Sequence, residues 1–459
     1  MTKTEKYNFL ETKNLFFIAV TIAFVTAINI YAGMAIGGMA AGYIVYLLFG
    51  EEALVAFTIV TFLSVTEYFG KSVRLVVQLV NFGLLIFLFV KRYGTQFQKY
   101  PKTPKKINIF LLLLYSAFFL SFIFTPYKSY AIPQIVRTSV FLLLVYLYYS
   151  LINSERDLNL IFNTIIGITV YFAFYLIYEL YASNFDLLNL NQKLFSVEAN
   201  PYIDKNTYAI YFAVSIPLLI VRYISSKTVI VKSILFFLIL FFSMGLIITN
   251  SRSIIMALFL SSIYLLYKVN RRYLVYMLLL FFIVVPFIFI EPIWTWVELY
   301  LRVEKISTGR DLIWKTLLNI PWKYYLLGMG PGATQYYMWN YIPFHFGSPE
   351  QLWMDYYFKK AEYGHAHNFY LFYLSDLGIL GLSSAFYIVG AFFSYVKKID
   401  FWENKKYRIY GYGLATSGIA IFIRSIFEWS GILSYGGIGV DLPFWIVLIL
   451  LFLMQRNFK

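Results

Sequence analysis

The residues best able to do chemistry in this chain are two histidines and a set of arginines. His365 and His367 stand together in GHAHNFYLFYLSDLGILGL (364–382), at the mouth of a long apolar run. A histidine in such a place meets water, a metal ion or a reacting group, because imidazole is the side chain that titrates nearest neutrality. Arg74, Arg137, Glu179, Arg252, Arg424 and Glu428 are ionisable residues inside or beside apolar segments, where charge is costly and marks function. Arginine holds phosphate through forked hydrogen bonds, so several arginines gathered at one face suit an anionic lipid head group, above all a diphosphate. The simpler alternative is snorkelling or internal pairing. Arg424 and Glu428, four residues apart on a helix, can satisfy each other.

The elements that would position these groups are membrane spans. Of 459 residues, 60% are hydrophobic and 13% charged, and the mean hydropathy is +0.69. That is the composition of an all-α polytopic membrane protein. The apolar runs number about fourteen, or twelve if the stretches 36–49 and 52–66 are not both spans. The first run follows a short polar lead with no small-residue cleavage pattern after it, so it is expected to be retained as a helix. With no cysteine, disulfides and thiolate chemistry are excluded.

The net charge of +15 does not indicate nucleic acid. Its basic residues sit in short connections after every second span: Lys91, Arg92, Lys99, Lys102, Lys105 and Lys106; Arg222, Lys227 and Lys232; Lys268, Arg271 and Arg272; Lys397, Lys398, Lys405, Lys406 and Arg408. This follows the positive-inside rule, with both ends in the cytoplasm. The longer connections 183–206, 249–252 and 291–364 then lie outside, and the last is long enough to be functional. The expected organisation is a first transmembrane part at 1–290, an external loop subdomain at 291–366 and a last transmembrane part at 367–459. That loop is crowded with aromatics, among them Trp294, Trp296, Trp322, Trp339 and Trp353. They suit sugar faces and membrane interfaces equally.

Four stretches share the outer side. NPYIDKNTYAIYFA (200–213) places Asn206 as the expected cap of a span, and TNSRSIIMAL (249–258) sets Arg252 at a helix mouth. STGRDLIWKTLLNIPWKYYLLGMGPGA (307–333) contains Arg310, at the helix end that cations avoid, unless it simply pairs with Asp311. The fourth is the histidine stretch, where Asn368 can cap a helix and His367 lies at the positive end of its dipole. That end disfavours imidazolium and attracts phosphate. Three readings of the histidines remain open at this point. They are a metal pair with Glu362, against which the rings of His–x–His point apart and no aspartate-rich motif accompanies them; a satisfied interfacial histidine; and a general base. His345, among loop aromatics, reads as a contact or surface residue.

In order, these stretches resemble the O-antigen ligase/polymerase superfamily (Wzy/WaaL-like), integral membrane glycosyltransferases that use polyprenyl-diphosphate-linked glycans. The resemblance runs over roughly 195–390. It rests on Asn206 and Ala209; Ser251 and Arg252; Gly309, Arg310, Trp314, Pro321, Gly328, Gly330 and Gly332; and His367, Asn368, Gly378 and Gly381. Asp376 departs from a common glutamate, and the small residues that often follow the second glycine in ligases are not clearly repeated. The resemblance implies 12–14 transmembrane helices in a GT-C-like architecture with one external loop subdomain. It implies His367 as catalytic base, with Arg252 and Arg310 toward the lipid diphosphate and Asn206 and Asn368 as orienting residues; Arg137 and Arg424 join the expected diphosphate set from their depth in the spans. No cofactor or metal is implied. The expected activity is polymerisation of lipid-linked repeat units on the outer face of the bacterial cytoplasmic membrane, with ligation to a lipid A-core acceptor or transport of the lipid-linked oligosaccharide as alternatives. The implied partners are a polyprenyl-diphosphate-linked donor and acceptor and the bilayer, with a chain-length-regulating co-polymerase beside a polymerase, and no nucleic acid.

Overall fold

The computed structural model describes residues 12–64, 71–186, 205–291, 309–356 and 365–457, together with 294 and 298. These residues form helices throughout. The first eleven are α1 (Thr12–Ile28), α2 (Ile30–Phe49), α3 (Glu51–Ser64), α4 (Lys71–Tyr93), α5 (Lys105–Phe124), α6 (Lys128–Leu151), α7 (Glu155–Ala182), α8 (Lys205–Ser225), α9 (Val229–Thr249), α10 (Arg252–Val269) and α11 (Arg271–Ile288). Short helices follow: α12 (Arg310–Leu317), α13 (Trp322–Leu327), α14 (Thr334–Tyr337) and α15 (Pro349–Asp355). Three long ones close the chain: α16 (Phe369–Val396), α17 (Lys405–Arg424) and α18 (Ile438–Asn457).

Among the described residues, ten helices are long and apolar enough to cross a membrane, fewer than the twelve to fourteen expected. The described parts of α1 and α3, 17 and 14 residues, are shorter than the roughly 20 that a bilayer core needs. α17 has the length but opens on Lys405, Lys406 and Arg408 and is rich in glycine, serine and tyrosine. Its small residues let it run through the middle of the bundle, against α8, α10 and α18. α8 and α18 are the most enclosed of the spans.

The basic connections meet at one end of the bundle. There Lys91 and Arg92 pair with Glu51, both at 2.8 Å, Lys268 with Asp400 at 2.6 Å, and Lys406 with Glu155 at 2.9 Å. The starts of α8, α10 and α16 and the end of α17 lie at the other end. The described part of the long loop, 309–356, lies back on the bundle through contacts of α13 with α5 and α16 and of α12 with α16.

Two glycines set that docking. α16 is broken at Gly378, whose φ of 68° and ψ of −162° are outside the helical range. Here the backbone of α16 lies directly against the loop. A Cβ on Gly378 would stand 2.3 Å from the Leu326 carbonyl oxygen, and one on Gly328 would stand 2.2 Å from that of Asp376. Only glycine permits both the dihedrals and the approach. Met329 N–H donates to the Ser375 carbonyl at 2.8 Å and Gly330 N–H to the Asp376 carbonyl at 3.0 Å.

Candidate functional site

The turn before α16 carries the histidines. Asn368 caps α16, its Oδ1 accepting from the N–H groups of Tyr370 and Leu371 at 2.9 Å each. Its Nδ2 donates to the Ile426 carbonyl at 2.9 Å, and Phe369 N–H donates to the Ser425 carbonyl at 2.9 Å. These bonds fasten the start of α16 to the 425–437 connection between α17 and α18. His367, just ahead of the cap, has a φ of 45°. A non-glycine residue in that region is strained and is held by its surroundings.

Glu428, on the 425–437 connection, is the centre of the arrangement. It is only 3% exposed. Its Oε2 accepts from His367 Nδ1 at 3.1 Å and its Oε1 from Arg310 Nη2 at 2.6 Å. Burial alone would raise the carboxyl's pKa. The charge of His367 and its hydrogen bond, joined by the charges of Arg424 and Arg310, outweigh burial and bring it down to about 2. The helix dipole is therefore not the only field at His367, since this anion lies against it. The ring lies at a positive helix end and against a carboxylate at the same time.

Arg310 reaches Glu428 from the first turn of α12, not its neighbour Asp311. Four residues on, Trp314 Nε1 donates to the Ala366 carbonyl at 3.0 Å. One face of α12 therefore holds both the histidine turn and its carboxylate partner, which gives the Gly–Arg–x–x–x–Trp spacing a physical reason. Among the described residues, buried Arg310 Nε has no hydrogen-bond partner. A guanidinium N–H with nothing to bond, beside a histidine–carboxylate pair, is a place for an anionic ligand.

The remaining expected residues divide into groups. Arg424 is completely buried and donates through Nη1 to the Ser430 carbonyl and through Nη2 to Ser430 Oγ at 3.4 Å. It shapes the connection around Glu428. Asn206 stands one residue inside α8 rather than ahead of it, so it is not the expected cap. Its Oδ1 accepts from Ser251 Oγ at 2.9 Å, tying the start of α8 to the start of α10, where Arg252 lies. Arg137, on α6, lies apart with Arg74 in a cleft between α4 and α6.

His365 stacks on Trp429, with ring centroids 4.1 Å apart, while its neighbour engages Glu428. Burial there, reinforced by the charge of His367, holds its pKa well below the ordinary histidine range. Glu362, its expected companion in a metal pair, lies outside the described residues, as does Trp296. His345 is exposed on the loop.

The glycine-rich turn does not present its amides to a phosphate. Gly332 N–H and Thr334 N–H donate to the Asp376 carboxylate at 2.9 and 3.0 Å, and Tyr435 OH donates to it at 2.6 Å. The aspartate that departs from the family pattern is thus a buried clamp joining α16, the loop and the 425–437 connection.

Glu428 as the partner of His367 was missed in the sequence, where it was weighed only against Arg424. One signal pointed to it: it is the lone acid in the connection 425–437.

In comparison with known families, residues 235–386 match the model of the Wzy_C domain, described as O-antigen ligase. The match spans Arg252, Arg310, His367 and Asn368 and ends before Glu428. No curated protein matches the chain. The chain thus contains a stretch similar to the O-antigen ligase domain, set in a multi-spanning membrane protein whose described secondary structure is helical.

Proposed function

We propose that this protein is a membrane glycosyltransferase that moves a glycan from a polyprenyl diphosphate carrier to an acceptor hydroxyl. The observation that carries the reading is the Arg310–Glu428–His367 cluster inside and beside the O-antigen ligase domain. With Nδ1–H donated to Glu428, the ring takes up a proton at Nε2, which is the tautomer a general base needs. The acceptor oxygen bonds to the anomeric carbon and its proton passes to His367. The bond from that carbon to the diphosphate oxygen breaks, and the electron pair leaves with the lipid diphosphate.

Arg310, through its unbonded Nε–H, and Arg252 at the start of α10 stabilise the departing charge. Diphosphate is a good leaving group, so positioning and charge carry the step. Asn368, Asn206 and Arg424 act as positioning residues, through the cap on α16, the Ser251 tie and the turn around Glu428. By the positive-inside rule, the end of the bundle opposite the basic connections faces away from the cytoplasm, which puts the reaction on the outer face.

The description of the matched domain supports ligation, with a lipid A-core acceptor, ahead of polymerisation. Polymerisation of repeat units, alone or beside a chain-length-regulating partner, is the second reading. It is favoured by the stretch after Gly381, where the small residues common in ligases are not clearly repeated. The test is turnover of a purified lipid-diphosphate-linked repeat unit by wild type, His367→Ala and Arg310→Ala, each checked for folding, with and without chelator. Glycan transfer lost in both variants and indifferent to chelator is expected. Full activity in His367→Ala would remove the base. Product only when a lipid A-type acceptor is supplied identifies the ligase.

A further inference from the structure

A second group of cations at this end of the bundle takes no part in the Glu428 cluster. A cleft of about 590 Å³ opens between α4, α6 and the segment leading into α18, lined by Arg74, Gln78, Arg137 and the backbone of Gly436, Gly437 and Gly439. Among the described residues that line it none is acidic, and the flanks are apolar, including Val136, Val140 and Phe141. Arg137 lies nine residues into α6, about 14 Å along the helix at 1.5 Å per residue. It is exposed, and among the described residues it has no side-chain hydrogen bond or ion pair. Guanidinium at such depth on a membrane helix is costly and marks a ligand or ion path. Arg74 adds charge from the first turn of α4, the end that cations avoid. The back wall is built to close tolerance. Gly436 has a φ of 77°, and a Cβ there would stand 2.7 Å from the Arg137 carbonyl oxygen.

We infer that the Arg74–Arg137 cleft binds the phosphorylated head group of a second membrane lipid, the acceptor of glycan transfer, reached sideways from the bilayer. The inference rests on the glycosyltransferase reading above. Two cations set between apolar walls match an anionic head on an apolar tail, and forked arginine contacts match phosphate. The same connection that presents Glu428 to His367 ends, eight residues later, as the wall of this cleft. One short segment thereby holds the base's partner and the acceptor's head. The chemistry is shared by two lipids, a polyprenyl diphosphate for a polymerase and a phosphorylated lipid A-core for a ligase.

The experiment is lipid binding to the full-length protein in phosphatidylcholine nanodiscs, read by native mass spectrometry. The probes are a polyprenyl diphosphate, lipid A, inorganic pyrophosphate and phosphatidylglycerol. Wild type is expected to hold two phosphorylated lipids per chain. Arg74→Gln with Arg137→Gln should lose one, with affinity at that site down about tenfold or more, while Arg310→Gln loses the other. Arg137→Lys, which keeps the charge, should retain the cleft lipid and so separates lost charge from lost fold. Polyprenyl diphosphate at both sites supports the polymerase form, and lipid A at the cleft supports the ligase form. Unchanged stoichiometry in the double variant overturns the proposal, as does pyrophosphate binding the cleft as tightly as the lipid, or displacement by equimolar phosphatidylglycerol. A single lipid lost only in Arg310→Gln overturns the cleft and leaves the transferase reading standing. A single lipid lost only in the double variant does the reverse.

Discussion

Glu428 and Asp376 are two buried carboxylates at the same end of the bundle, and they are held in different ways. Asp376, 1% exposed, receives two backbone N–H groups and a tyrosine hydroxyl, all neutral donors on rigid elements. Glu428, 3% exposed, receives a histidine and an arginine whose side chains are 28% and 20% exposed. A carboxylate ringed by fixed neutral dipoles has its bonding capacity spent on the fold. A carboxylate facing half-open cations at the edge of a site still has partners that can exchange contacts with a ligand. Burial alone does not distinguish them; the identity and freedom of the donors do.

The sharpest way to break this comparison is to neutralise each acid. Glu428→Gln should lower glycan transfer by about 100- to 1000-fold, the range for disabling a positioned general base, with a fall in melting temperature at neutral pH that disappears in acid. Asp376→Ala should act through the fold instead. It strands three buried donors, each worth about 1–3 kcal/mol, so thermal unfolding should show a loss of about 3 kcal/mol or more. If Asp376→Ala melts like wild type but is inactive, the division between the two acids fails.

Next in size is Gly378→Ala. The backbone conformation alone costs about 1–3 kcal/mol, and the added Cβ meets the Leu326 carbonyl oxygen at 2.3 Å. Destabilisation accompanied by loss of the loop contact is expected, read by proteolysis within 309–356. Arg310→Lys comes next. A lysine still reaches Glu428 but has no fork for a diphosphate, so about a tenfold loss in kcat/KM is expected, about 1.4 kcal/mol. Wild-type activity in that variant would reduce Arg310 to a plain counter-charge.

The pH dependence follows from the direction of the Glu428 shift. Its folded pKa of about 2 lies below the unfolded value of about 4.3. Its stabilisation is therefore fully present above that unfolded value and is lost as pH falls from about 4.3 through about 2. Melting curves of wild type and Glu428→Gln should keep a constant separation from pH 7 to 5 and converge below pH 4. Convergence already at pH 6 would mean that the carboxylate is not held by its cations.

What could be read from the sequence and what could not follow the range of the interactions. The helical character, the alternation of basic connections and the cap at Asn368 depend on neighbours a few residues away, and hydropathy and spacing report those directly. Ten described helices have the length and hydropathy of a span, whereas α17 is held in the bundle by small residues packed against α8, α10 and α18, which hydropathy does not see. Glu428 meets His367 across 61 residues, and no local pattern encodes such a contact. In the turn GMGPG the Gly330 and Gly332 amides go to Asp376, a contact across 44 residues for Gly332 that no local pattern encodes. Depth in a span puts Arg137 in one set with Arg252 and Arg424, and depth is one coordinate of three.

The smallest expected effect concerns the residue pair that first drew notice. His365 and His367 are two apart, and a reading from spacing alone treats them as a unit. Their surroundings separate them, since one ring stacks on Trp429 and the other bonds to Glu428. Phenylalanine in place of His365 keeps an aromatic face for Trp429, and stacked pairs contribute about 0.5–1.5 kcal/mol beyond burial. His365→Phe should therefore fold like wild type and transfer glycan within about twofold of it, against the general-base loss of about 100-fold or more expected for His367→Ala. If His365→Phe is instead as inactive as His367→Ala, with its melting temperature intact, the two imidazoles act together. The Glu428 cluster would then have a fourth member, which the stacking on Trp429 serves to aim.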